Sequence, residues 1–394
     1  MKFLVLGAGD MGYAMVYDLI RSPKVESVVV ADKNVEQVKV LKERLQDDKI
    51  VPVELDVSNQ EYVLELMSNQ DVTVSCLPHH FNYQLTKLAL QARSHFCDLG
   101  NNREDTEKIF LLDEVASDQG VSIVPNLGFA PGLVSILAVN AARKMDQLYE
   151  IKLRAGRLAQ EPEDILSKDL LPQYRNSLAV ESLLRSYTEP CKVIKGGKLL
   201  KLPALSEPET MKFPHPIGEV ESFNVSLAGL NLMDKFRDQV QNLDYKTIRP
   251  VGHLERMNLL FELELFSRQK IKLADGAELT PAELTAFQMN RLIPRDVTDM
   301  MLLRVTVTGM LDKEPLQNIW ELIDFGDQSD GLSALSRMNT IPASIIAQMI
   351  AREDIKKRGV LHQEEVVPVK LFLAEIASRG LNLKLTERAP VHDS

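Results

Sequence analysis

Along residues 1–125, short apolar runs alternate with segments of helical spacing. The runs Phe3–Leu6, Val25–Ala31, Ile50–Leu55, Asp71–Leu77, His95–Leu99 and Val121–Val124 are rich in Val and Ile. Runs of this length and composition read as strands buried on both faces of a sheet. Between them, Met11–Ile20, Val35–Leu45, Glu61–Met67, Phe81–Ala92 and Glu104–Ala116 repeat apolar residues at amphipathic helical spacing. Strand followed by helix, over and over, predicts an α/β fold: a doubly wound parallel sheet with helices on both faces.

After Pro125 the pattern changes. Tyr149–Ala155 and Met300–Thr308 alternate as half-buried strands do, and Gly196-Gly197 separates two strand-like runs within Lys192–Leu202, a hairpin signal. Helical spacing returns at Gly132–Lys144, Asn176–Tyr187 and Pro281–Arg291, then at Pro342–Lys356 and Val366–Ser378 ahead of a short strand, Leu381–Leu385. The expected organisation is a parallel-sheet domain over 1–126 and an α+β domain over 127–339. Helices in 340–394 are expected to pack back on the first domain.

Composition narrows the class. The chain has 394 residues and a formal charge of −10, and residues 1–127 carry 12 Lys+Arg against 20 Asp+Glu. An acidic balance argues against nucleic acid or an anionic membrane as partner. Three scattered cysteines, Cys76, Cys97 and Cys191, make neither a disulfide framework nor a zinc site, and a reducing cytoplasm is the expected compartment. The start, MKFLVLGAG, opens into a strand and does not read as a signal peptide. No metal constellation is expected: His79-His80 has poor ligand spacing, and His215 and His362 stand alone.

The chemistry begins at Gly7-Ala8-Gly9-Asp10-Met11-Gly12, a G-x-G-x-x-G between the first strand and the first helix. Gly7 permits the tight turn, Gly9 lets the backbone approach a pyrophosphate, and Gly12 lets helix and strand pack closely. The helix start, with Asp10 and Met11, offers N–H groups and a positive dipole end to phosphate. Asp32 ends the second strand, where a carboxylate accepts ribose hydroxyls and repels a 2′-phosphate, so NAD is favoured over NADP. Lys33 beside it either tolerates a 2′-phosphate or is a solvated loop lysine. Asp56 and Val57 are expected near the adenine, unless Asp56 caps the next helix. Cys76, Leu77 and Pro78 end the fourth strand beside the ribose and nicotinamide, with Cys76 expected to pack rather than react. The first domain is therefore Rossmann-type. Asp98, at the end of the fifth strand, is a candidate for binding a substrate ammonium or serving as base; it equally suits capping of the following loop.

Further on, four segments resemble the saccharopine dehydrogenase-like oxidoreductases, and within them the lysine 6-dehydrogenases. They are Asn126-Leu127-Gly128-Phe129-Ala130-Pro131-Gly132, Ser177–Pro190 (SLAVESLLRSYTEP), Gly218–Phe223 (GEVESF) and Lys246–His253 (KTIRPVGH). The resemblance implies a substrate and dimerisation role for the second domain, a homodimer, and oxidation of an amino-acid C–N bond. Hydride passes to the nicotinamide and water hydrolyses the imine; for lysine, the ε-amine is lost and the semialdehyde cyclises. It also implies substrate contacts at Asn126, Tyr174 and Arg175, and a cofactor contact at Pro131. Two departures stand out. Ala130 occupies the turn position where glutamate-forming saccharopine dehydrogenases carry Asp, and Leu178 lies where an aromatic residue is common. Arg249 can clamp a carboxylate bidentately and His253 can act as acid or base near neutral pH; alternatively they are a surface arginine and a helix-capping histidine. Competing readings are reductive amination of the saccharopine or carboxynorspermidine dehydrogenase type and a catalytically silent NAD(H)-binding sensor.

Overall fold

The structure, a computed structural model, describes residues 1–100, 102–160, 177–227, 229–272, 274, 276, 278–292, 298–326 and 329–390. It divides into two units: Met1–Arg143 with Ala228–Leu230 and Asp327–Asn382, and Lys144–Leu227 with Asn231–Gly326 and Leu383–Ser394.

The first unit is a seven-stranded parallel sheet among the described residues. β1 (Lys2–Leu6) and helix α1 (Asp10–Arg21) are followed by β2 (Ser27–Asp32), β3 (Ile50–Glu54), β4 (Val72–Ser75), β5 (His95–Asp98) and β6 (Ser122–Val124). The strand order is β3-β2-β1-β4-β5-β6, and Gly359–Val360 extends it beyond β6. This is the Rossmann order, in which the direction of winding reverses between β1 and β4 and leaves a crevice at the carboxyl ends of the strands. The runs read from the sequence are these strands; Phe3, Val5, Val28, Val30, Val72 and Val74 are buried, as expected of strands covered on both faces. The expected single helix over Glu104–Ala116 is two, Arg103–Phe110 and Asp113–Asp118.

The expected boundary at 126 falls instead at Arg143, because helix Val134–Ala142, apolar except for Ser135 and Asn140, is buried within the first unit. The chain returns to this unit at Asp327 rather than 340. Helix Ala334–Ala351 carries Pro342 inside it, where the sequence suggested a helix start at that proline.

Among the described residues, the second unit is built on a nine-stranded mixed sheet. Its described strands include β7 (Gln147–Ala159), β8 (Cys191–Lys195), β9 (Lys198–Leu202), β10 (Glu209–Phe213), β11 (Gly218–Asn224) and β12 (Asn242–Arg249). Their path is β10-β11-β12-β7, continued by Asp299–Leu311, Glu314–Phe325 and Lys384–Arg388. β8 and β9 form the expected hairpin, with Gly196 and Gly197 at φ +53° and +74°, as its two-residue turn requires. β12 runs parallel to β7, with Lys246 opposite Arg154. Lys384–Arg388 therefore belongs to this second sheet, whereas the sequence reading grouped it with the returning helices.

Candidate functional site

In the first unit the predicted cofactor residues gather at the carboxyl edge of the sheet. Gly7 sits at φ +100°, and a Cβ there would press against the Cys76 carbonyl and Leu77 at 3.2 Å. The glycine turn and the Cys76-Leu77-Pro78 segment thus adjoin at the β1/β4 switch point. A Cβ at Gly12 would stand 1.9 Å from the Gly7 carbonyl oxygen, so only glycine lets α1 start this close to the strand. At Gly9 a Cβ would meet nothing within 4 Å, so the turn is open on that side. α1 begins there without a side-chain cap, leaving its start to a ligand's phosphates. The turn therefore fits a dinucleotide pyrophosphate.

Asp32 ends β2 and is tied to the turn. Its Oδ2 accepts the Ala8 N–H at 2.8 Å and its Oδ1 the Asn34 N–H at 2.9 Å. Lys33 is exposed. Asp56 accepts the Ser58 N–H at 2.9 Å, which holds its carboxyl below the usual range, with Lys33 adding to the effect. The helix cap there is Asn59, which accepts the Tyr62 N–H, and not Asp56. Val57 is half-buried beside the exposed Asp56. Asp10 is exposed and Met11 half-buried at the start of α1. Burial pushes the Cys76 thiol up to about 12, so it is a neutral packing group.

Two expectations on this edge change. Asp98 is 1% exposed; its Oδ1 accepts the N–H groups of Gly100 (2.7 Å) and Asn126 (3.1 Å), and its Oδ2 is buried with no hydrogen-bond partner among the described residues. Burial raises its carboxyl to about 6, against the pull of those two N–H groups. A carboxylate enclosed this way anchors the loop after β5 rather than reaching a substrate. Asn126, at φ +56°, gives its amide N–H to Thr106 Oγ1 at 2.8 Å, and its carbonyl accepts from Gln363 at 2.9 Å. Its side chain is thus engaged inside the unit and is not placed for the substrate contact expected of it. Pro131 is buried in the turn Phe129–Leu133 after β6.

In the second unit three of the sequence segments converge. Arg249 ends β12 and lies opposite Glu221 of β11. Its Nε donates to Tyr187 Oη at 3.1 Å and its Nη1 to the Ile248 carbonyl at 2.9 Å. His253 opens helix His253–Glu262, and its Nε2 lies 3.0 Å from Tyr187 Oη. Phe223 stacks on the His253 ring at 6.2 Å and meets Tyr187 edge-on at 6.0 Å. Glu221 accepts the N–H groups of Gly252 (3.2 Å) and Leu254 (2.6 Å), capping the helix. Burial, and then the charges of Arg249 and Arg256, hold the His253 imidazole down at about 3. It is 2% exposed and neutral throughout the physiological range, so the acid–base role expected of it near neutral pH does not fit. Tyr187 and Phe223 were not singled out from sequence; their only signal was their place inside the quoted segments. Tyr174 and Arg175 lie outside the described residues.

The sheet order, the glycine turn and the strand-end carboxylate define a dinucleotide-binding unit of the Rossmann class, joined in one chain to a mixed-sheet unit. Residues 3–124 match the saccharopine dehydrogenase NADP binding domain and residues 128–381 the saccharopine dehydrogenase C-terminal domain. The chain belongs to the saccharopine dehydrogenase family, a family of oxidoreductases. It is similar to the mitochondrial alpha-aminoadipic semialdehyde synthase of Mus musculus, 23% identical over 282 residues, which are 68% of this chain and 29% of the mouse protein. It is also similar to the NADP+, L-glutamate-forming saccharopine dehydrogenase of Schizosaccharomyces pombe, 22% identical over 220 residues, 54% of this chain and 46% of that protein. The chain spans less than half the length of these curated relatives. Among solved structures, the apo saccharopine dehydrogenase (L-Glu forming) of Saccharomyces cerevisiae has a TM-score of 0.80 at 17% identity, covering 98% of this chain and all of that one. Homospermidine synthase of Legionella pneumophila, in complex with NAD, has a TM-score of 0.64 at 13% identity, covering 99% and 91%. At these identities the likeness is one of fold.

Proposed function

We propose that this chain is an NAD-dependent amino-acid dehydrogenase that oxidises a C–N bond, with oxidative deamination at the ε-carbon of L-lysine as its reaction. The observation that carries the reading is the convergence of Tyr187, Phe223, Glu221 and His253 around Arg249, all from segments that resemble lysine 6-dehydrogenases. A bound nicotinamide dinucleotide supplies the hydride acceptor. The chain supplies the rest. The glycine turn and the start of α1 hold the pyrophosphate, and Asp32 takes the ribose hydroxyls and repels a 2′-phosphate. Arg249 holds the substrate carboxylate. The neutral His253 adds no positive charge against a substrate ammonium. In balance, the ε-carbon of the ammonium form gives up a hydride and its nitrogen a proton to solvent water, leaving an iminium; water then adds to that carbon and ammonium leaves, giving the aldehyde. Ala130 supports lysine over saccharopine, because the glutamate-forming enzymes carry Asp at that turn position.

Incubation of the purified chain with NAD and L-lysine is expected to generate NADH absorbance. No turnover of lysine, saccharopine or carboxyspermidine-like amines, with either NAD or NADP, overturns the reading. Asp32→Asn keeps an acceptor for the Ala8 N–H but removes the charge. It is expected to shift the kcat/KM ratio of NADP to NAD upward by about tenfold, the scale of one charged hydrogen bond. An unchanged ratio removes Asp32 from cofactor choice.

A further inference from the structure

We infer that Tyr187, backed by His253, is the positioning residue that aims the Arg249 guanidinium at the substrate carboxylate. This rests on the proposed amino-acid dehydrogenase reading. The geometry is a chain of three groups. Arg249 Nε donates to Tyr187 Oη at 3.1 Å, and Tyr187 Oη lies 3.0 Å from His253 Nε2. A phenol that accepts from a guanidinium keeps its own proton to give away, and a neutral imidazole can accept it at Nε2. His253 is buried beside two arginines and stays neutral, so that acceptor persists at working pH. A second donation, from Nη1 to the Ile248 carbonyl at 2.9 Å, fixes the plane of the guanidinium. Arginine presents its donors in a rigid fork, so holding Nε and Nη1 sets the direction in which the fork faces.

Each member of the chain is itself held by a different element. Tyr187 is 1% exposed on helix Ser177–Thr188 and meets Phe223 edge-on. His253 lies nearly parallel to Phe223, with 10° between the rings. Its backbone N–H is bound to the Pro250 carbonyl at 3.2 Å, and Glu221 fixes the N–H groups on either side of it. Packing thus places the imidazole, the imidazole orders the phenol, and the phenol orders the arginine. Orientation of a binding group by such a chain lowers the entropy lost when substrate binds. A phenylalanine at 187 would keep the ring contact with Phe223 and lose only the oxygen.

The test uses the full chain as wild type and as Tyr187→Phe, His253→Gln, His253→Asn and Arg249→Lys. The Arg249 side-chain Nε–H signal in a 15N NMR spectrum is identified by its loss in Arg249→Lys. In wild type this proton is expected to exchange slowly with water. Tyr187→Phe should speed its exchange by about tenfold or more, as loss of a charged hydrogen bond implies. Glutamine carries an acceptor where Nε2 stands and should preserve slow exchange; asparagine is too short and should not. With L-lysine, Tyr187→Phe should raise KM about tenfold, well beyond its effect on kcat, because the lost order is in ground-state binding. An unchanged exchange rate in a folded Tyr187→Phe overturns the proposal. If that variant does not fold, equal exchange in the glutamine and asparagine variants overturns it instead. Failure of wild type to oxidise any amino acid sinks the dehydrogenase reading alone, since the exchange measurement still decides the positioning chain.

Discussion

Asp98 shows how much a single carboxyl depends on which way it faces. Its place at the end of β5 is legible in the sequence, since strand ends of a parallel sheet are where ligands meet the protein. Its burial is not, because a run of four residues does not say whether the last side chain turns inward. The structure turns it inward, onto the Gly100 and Asn126 N–H groups, with Oδ2 enclosed and without a partner among the described residues. The consequence is a pH dependence of known sign. Burial raises the carboxyl from 3.8 to about 6, so folding favours its neutral form. That contribution is fully present below pH 3.8 and is lost as pH rises through about 6. Asp98→Asn keeps an acceptor for both N–H groups and cannot ionise. Its melting temperature relative to wild type is therefore expected to rise between pH 4 and 6 and to level off above that. A difference that is flat across the whole range would show that the carboxyl is not raised. The same limit explains His253: imidazole chemistry is legible from residue type, whereas enclosure beside Arg249 and Arg256 is visible only in the fold.

Elements were easier to read where one period ran unbroken. The Val-rich runs of β2 and β4 and the Gly196-Gly197 hairpin state their conformation locally, because buried strands and positive-φ turns each demand particular residues. Helix Ala334–Ala351 was harder, since Pro342 reads as a helix start while the surrounding structure carries it in the interior. Helix His253–Glu262 was harder still. Its N-cap, Gly252, offers no side chain, and the missing acceptor comes from Glu221 on the neighbouring strand β11. No local capping signal can show a carboxylate supplied from 31 residues away in the chain. That remote cap binds two of the helix's first N–H groups and opposes the positive end of its dipole. Glu221→Ala is expected to destabilise the chain by about 1–2 kcal/mol, the range of a lost N-cap, with Glu221→Gln intermediate because it keeps an acceptor but no charge. Urea unfolding of the three proteins checks the order. Equal midpoints for Glu221→Ala and wild type would mean that water replaces the cap without loss.

At the scale of the whole chain, the sequence showed two kinds of texture but not where the chain passes between the units. Those crossings depend on long-range pairing: Gly359–Val360 on β6, and Lys384–Arg388 on Glu314–Phe325. The mixed sheet raises the same question of how a remote register is fixed, most acutely at β7 and β12, which pair in parallel without a tight turn between them. An ion cluster answers it. Arg154 on β7 is 2% exposed and binds Glu209 of β10 through Nε and Nη2 at 2.9 Å each, and Asp244 of β12 at 2.6 and 3.1 Å. Lys246 of β12 reaches Glu209 at 3.0 Å. Two cations and two carboxylates thus tie three strands together, and a slip of one residue would carry the β12 partners to the opposite face of the sheet. Burial alone would raise the Glu209 carboxyl, yet the Arg154 guanidinium, with Lys246, holds it down at about 2. Arg154→Met leaves two carboxylates facing one ammonium. Removing one partner of a buried pair costs about 3–5 kcal/mol, so urea unfolding at pH 7 should show a loss of that size. The pH dependence fixes the cause. A carboxyl held low contributes stability above its ordinary value of 4.5 and loses it as pH falls toward 2. In Arg154→Met the Glu209 carboxyl is released upward, so the variant has less of this contribution to lose. The gap between wild type and variant should therefore narrow as pH falls from about 5 toward 2. A gap that stays constant would mean that Arg154 acts through packing of its long side chain and not through the charges it gathers.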